Sequence, residues 1–109
     1  MKTSEAGIGR SFDVYRRVLG NGLTLLFVEN PSVPAIAVNA SVLAGARNEP
    51  DQKAGLAIMA SRLLDEGTRT RTSLAIAEAI ESTGGGIDTD ASFERTVVSA
   101  TVLKQDTDL

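Results

Sequence analysis

The chain has 109 residues, 42% of them hydrophobic and 23% charged, enough for one small domain and too apolar for a disordered segment. Aromatics are only 4% of it, so aliphatic packing has to dominate any core. A formal net charge of −3 gives no electrostatic footprint for nucleic acid or an anionic membrane, and the absence of cysteine removes disulfide and thiolate chemistry.

Residues 1–11 are rich in Gly, Ser and charge and are expected to form a flexible N-terminal arm, with order beginning near Phe12. Residues 1–18 contain Lys2, Glu5, Arg10, Asp13, Arg16 and Arg17 and no apolar run, which argues against a signal peptide there. No apolar run along the chain approaches the roughly 20 residues that span a bilayer, so no membrane insertion is expected. Residues 14–19 and 23–28 flank Gly20-Asn21-Gly22 and predict a hairpin whose Asn-Gly supplies positive φ. After the prolines at 31 and 34, Ile36, Val38, Ala40 and Val42 alternate with Ala37, Asn39, Ser41 and Leu43, a half-buried strand. Residues 44–52 read as a loop.

Within residues 53–66, Leu56, Met59, Ala60, Leu63 and Leu64 take the spacing of an amphipathic helix, stopped by Gly67. The wheel places Ile58, Ser61, Arg62 and Asp65 opposite that stripe, away from the core. A second helix is expected from a Thr72 or Ser73 cap to about residue 83, with Ile76, Ala77 and Ile80 facing inward and Gly84 closing it. A short polar strand at 87–92 and a Val- and Thr-rich strand at 95–103 follow, and Asp106 or Thr107 suits the cap of a third helix. The order βββααββ predicts an α+β fold, a mostly antiparallel sheet with helices packed on one side. It reads as the first part of a longer fold.

Most of the polar groupings have ordinary explanations. Gly84-Gly85-Gly86 follows a helix and lacks a Lys-Ser/Thr, so a helix-to-strand turn explains it better than a phosphate loop. Asp88, Asp90, Asp106 and Asp108 have neither the spacing nor the glycine of a calcium loop. Asp65 and Glu66 are helix neighbours that point apart. Arg69 and Arg71 suit a solvated connector. Ser61 has no histidine and no lysine placed to activate it.

Several short segments run in an order that carries more meaning together than alone. Leu19-Gly20-Asn21-Gly22-Leu23, Ala44-Gly45-Ala46-Arg47-Asn48-Glu49-Pro50, Gly55-Leu56-Ala57, Glu66-Gly67-Thr68, Thr70-Arg71-Thr72 and Gly84-Gly85 resemble the N-terminal domain of the pitrilysin/insulinase zinc metallopeptidases, the family that includes the mitochondrial processing peptidase. The resemblance implies that residues 12–109 are the N-terminal part of a peptidase-like domain. In active members the segment after Gly-Leu-Ala begins His-x-x-Glu-His, whose histidines, with a downstream glutamate, hold zinc while the intervening glutamate serves as base. Ungapped alignment sets Ile58 at the first histidine, Ser61 at the glutamate and Arg62 at the second histidine, and the chain contains no histidine anywhere.

The resemblance therefore implies a catalytically silent member with no catalytic residue and no metal of its own; zinc is expected only in an active partner or elsewhere in a longer protein. It implies an active peptidase subunit as partner, or self-association, and a peptide substrate added along the edge strand at Asp88, Thr89 and Asp90. The same acidic residues equally suit an edge guarded against unwanted pairing, and Ile58 equally suits a stray surface isoleucine. An assembly protein without a role in proteolysis stays open beside the partner-subunit reading, as does a single-chain peptidase with its zinc site elsewhere. By resemblance the compartment would be a bacterial cytoplasm or periplasm, or a mitochondrion.

Overall fold

The computed structural model describes residues 2–4 and 12–108, which fall into two compact units, residues 1–33 and 34–109. In the first unit, strands β1 (Lys2–Ser4), β2 (Asp13–Val18) and β3 (Thr24–Val28) form an antiparallel sheet in the order β1-β2-β3. Order was expected to begin near Phe12, yet Lys2–Ser4 pairs in register with residues 13–15. The rest of the expected arm, residue 1 and residues 5–11, lies outside the described residues. The hairpin forms where Gly20-Asn21-Gly22 predicts it. Leu19 N–H donates to Leu23 O, and Asn21 Oδ1 accepts from Leu23 N–H at 3.1 Å. The positive φ of +86° falls on Gly22 alone. Tyr15 lies directly opposite Phe27, their ring centroids 6.3 Å apart, a cross-strand aromatic pair of the kind that stabilises neighbouring antiparallel strands.

The second unit holds β4 (Ala35–Val42), α1 (Leu56–Arg62), α2 (Ser73–Glu81), β5 (Gly86–Ala91) and β6 (Thr96–Leu103), with short 3₁₀ turns at Ala46–Asn48, Asp51–Lys53 and Lys104–Asp106. Its sheet is antiparallel with order β4-β6-β5, and the helices touch β5 and β6. The fold is α+β, antiparallel with helices packed on one side.

Cross-strand partners share a face, so the register sets Ile36, Val38, Ala40 and Val42 beside Val102, Ala100, Val98 and Thr96, and these beside Ile87, Thr89 and Ala91. The opposite face carries Asn39, Ser41, Ser99, Thr101, Asp88 and Asp90. Thr89 and Ala91 are half-buried while Asp88 and Asp90 are exposed, which identifies the apolar face as the one the helices cover at β5.

The second helix follows its sequence closely. Thr72 Oγ1 accepts from Ala75 N–H at 3.2 Å, and the far end closes with Gly85 N–H on Ile80 O and Gly84 N–H on Glu81 O around Gly84 at φ +71°, a Schellman motif. Ile76, Ala77 and Ile80 are half-buried, as their spacing predicts. The first helix is shorter than the expected 53–66. Gly55 sits at φ +93°, a left-handed conformation that cannot continue a right-handed helix backwards, and the chain bends away after Leu63.

Gly45 is buried and locks the loop before α1 onto the β5–β6 hairpin. Ala46 N–H donates to Ser92 O and Arg47 N–H to Phe93 O, while Thr96 Oγ1 donates to Ala44 O at 2.7 Å. A Cβ at Gly45 would lie 2.5 Å from Arg95 N and from Ser92 O.

Candidate functional site: the helix at residues 56–62

The site is assembled by a carboxylate outside the helix it holds. α1 has no side-chain cap of its own, because its N-cap position is Gly55. Glu49, six residues earlier, takes the role: Oε2 accepts from Gly55 N–H at 2.8 Å and Oε1 from Ala57 N–H at 2.6 Å. Both are charge-assisted bonds to donors that a helix start leaves unsatisfied. Spacing gave no hint of this, because capping motifs are read within three or four residues and Glu49 acts across the Asp51–Lys53 turn. Its position after the locked Gly45 loop is what brings it within reach.

The helix faces differ from the hydropathy wheel. Ser61, expected on the outward face, is 1% exposed and is the only fully buried side chain among the described residues. Its hydroxyl donates to Ile58 O at 2.9 Å. Ala57, one turn earlier, and Asp65, one turn later, are half-buried on the same line. The expected inward stripe is the exposed one: Leu56 is 48% exposed, Met59 66%, Leu63 61% and Leu64 53%. The physical reason is size. Small residues at positions 57 and 61 let the helix backbone approach β5, whose facing residues are Thr89 and Ala91, whereas the stripe of long side chains would hold it off.

Of the expected site residues, Ile58 (48% exposed) and Arg62 lie on exposed parts of α1, and Ser61 is buried beneath them. The three therefore do not share one open face. Their chemistry does not fit zinc either: an isoleucine offers no donor, a buried serine already spends its proton on a carbonyl, and a guanidinium repels a cation. Among the described residues no group of three or more His, Cys, Asp or Glu side chains is placed to hold a metal. Nor is any described helix long and apolar enough to cross a membrane.

The expected substrate edge is an edge in this sheet. Ser92 N–H donates to Arg95 O at 2.8 Å, which makes 92 and 95 a hydrogen-bonded pair, so by the alternation of an antiparallel ladder Ile87, Thr89 and Ala91 turn their backbone groups away from β6. Asp88 and Asp90 project on the sheet face opposite the helices.

Comparison with known proteins agrees with this architecture. The family described as Insulinase (Peptidase family M16) matches residues 24–109. An uncharacterized zinc protease of Rickettsia bellii is 36% identical over 87 residues, covering 80% of this chain and 21% of that protein. The mitochondrial-processing peptidase subunit beta of Blastocladiella emersonii is 32% identical over 88 residues, covering 81% of this chain and 19% of that protein. Among solved structures, the peptidase M16 inactive domain from Pseudomonas fluorescens superposes with a TM-score of 0.77 at 25% identity, over 84% of this chain and 22% of that one. The chain thus spans about a fifth of the length of these relatives.

Proposed function

The chain belongs to the insulinase family of peptidases, family M16, and from that premise we propose that it serves as the catalytically silent partner of a zinc-bearing subunit in peptide hydrolysis. One observation carries the reading. The helix Leu56–Arg62 is held by Glu49 and packs on β5, and the ungapped alignment sets Ile58, Ser61 and Arg62 at the places of the family's ligands and base. Its likeness to an M16 domain described as inactive and to a subunit of a processing peptidase supports the same view.

In this reading architecture survives because catalysis and packing use different atoms. Glu49 and Ala57 keep the helix in place without any metal. Arg62 offers a cation where active relatives hold theirs, suited to an acidic or carbonyl-rich stretch of peptide. The outward backbone groups of Ile87, Thr89 and Ala91 would accept an extended peptide as an added strand, with Asp88 and Asp90 biasing it toward basic sequences.

The assay mixes the full-length protein with a histidine-bearing M16 subunit and follows hydrolysis of a fluorogenic peptide. Activity should rise on mixing, and Arg62→Glu should raise KM more than it lowers kcat. Hydrolysis identical with and without this protein would instead favour an assembly role. Elemental analysis supplies a separate check: one tightly held zinc per 109-residue chain would overturn the assignment of Ile58, Ser61 and Arg62 to the lost motif.

A further inference from the structure

β5 and α1 are tied together by a closed ring of contacts. β5 ends at Ala91 and runs directly into the 92–95 turn, which holds the loop before α1 through Ala46 N–H on Ser92 O at 3.1 Å and Arg47 N–H on Phe93 O at 2.8 Å. That loop has little freedom of its own. Asn48 N–H donates to Gly45 O and Glu49 N–H to Ala46 O, closing a 3₁₀ turn, and the ring of Pro50 restricts Glu49 to the extended backbone it adopts, φ −77° and ψ 139°. From there the Glu49 carboxylate reaches Gly55 N–H and Ala57 N–H, and α1 packs back onto β5. Arg62 ends the helix, about 10 Å from its start. Without the carboxylate, α1 would be joined to the loop only by residues 50–54 and a glycine, and seated on β5 by the small side chains of Ala57 and Ser61.

We infer that Glu49 is a positioning residue for the peptide site: it fixes Arg62 relative to β5, so that an acidic side chain is favoured at one position of the added peptide and not along its length. This rests on the partner reading above and goes beyond it by assigning the residue that makes the site selective. The geometry sets the tolerance. Side chains on one face of an added strand recur about every 6.6 Å, so a shift of α1 by half that distance would leave Arg62 between two of them. A cap that only stabilised the helix would matter to folding and not to selection, and the two are separable.

The chain lacks cysteine, so nitroxide labels can be placed in the full-length protein at Arg62→Cys and Asp90→Cys, both exposed positions. Double electron–electron resonance should give one narrow distance distribution between them. Glu49→Gln, which keeps one acceptor and opposes the second N–H with an NH₂ group, should widen it about twofold, and Glu49→Ala further; Thr72→Ala, which uncaps α2, should leave it narrow. In the mixed assay with a histidine-bearing M16 subunit, Glu49→Gln should raise KM for an acidic fluorogenic peptide about threefold with kcat within about twofold. Simple unfolding would lower the maximum rate and leave KM alone. Added to Arg62→Ala, Glu49→Gln should raise KM no further, because both act through one contact. An unchanged KM, effects that multiply, or a distance left narrow in both Glu49 variants would overturn the positioning role and leave the partner reading standing. A wild-type protein that leaves hydrolysis unchanged would overturn the partner reading, and the peptide role of Arg62 with it, whatever the distances.

Discussion

The two helices lie fewer than twenty residues apart and are held by different kinds of interaction. α2 carries its own start and stop: the Thr72 hydroxyl caps it, Gly84 closes it, and Ile76, Ala77 and Ile80 turn inward as spaced. α1 carries neither signal at its start. It is held by Glu49 from outside and seated by Ala57 and Ser61, while its long apolar residues face outward. A helix with local caps is a local object, whereas a helix capped at a distance inherits its position from the loop that delivers the cap.

The sharpest way to break that contrast is upstream of both helices. Gly45→Ala would force a Cβ into three backbone atoms of the 92–95 turn, costing about 3 kcal/mol and releasing Glu49 as well; urea unfolding with α1 amide exchange should show both losses. Glu49→Ala comes next, at about 2 kcal/mol for two charged-acceptor bonds, with exchange accelerating in α1 and not in α2. Thr72→Ala should cost about 1 kcal/mol, confined to α2. If Glu49→Ala proved milder than Thr72→Ala, α1 would not be tertiary-anchored and the contrast would collapse. The smallest effect belongs to Met59→Gln on the exposed stripe, within about 0.5 kcal/mol in thermal melts of the isolated chain. A loss of 2 kcal/mol or more there would restore the wheel's inward face.

Most of the strand and turn structure is legible in the residues. Gly22 and Gly84 take the positive φ that their neighbours call for, and the alternation in 36–42 gives the correct apolar face. α1 is shorter than the expected 53–66 at both ends, because Gly55 at φ +93° fixes its start and the helix stops at Arg62, well before Gly67. The site was half legible. The types of residue at 58, 61 and 62 exclude zinc by chemistry, with no structure required. Ile58 is exposed where the wheel places it, whereas the burial of Ser61 was hidden, since hydropathy ranks a serine as surface while close packing against a sheet ranks side chains by volume.

The amino-acid sequence by itself determined which chemistry is missing, where the chain turns and how its strands alternate, because these depend on side-chain donors, on φ limits and on period-two geometry that each residue carries locally. The tertiary structure alone decided which face of α1 meets the sheet, that Glu49 would cap a helix it does not belong to, and that β6 would lie between β4 and β5. Those depend on which groups arrive at the same place, and the distance between Gly45 and the 92–95 turn is set by the fold as a whole.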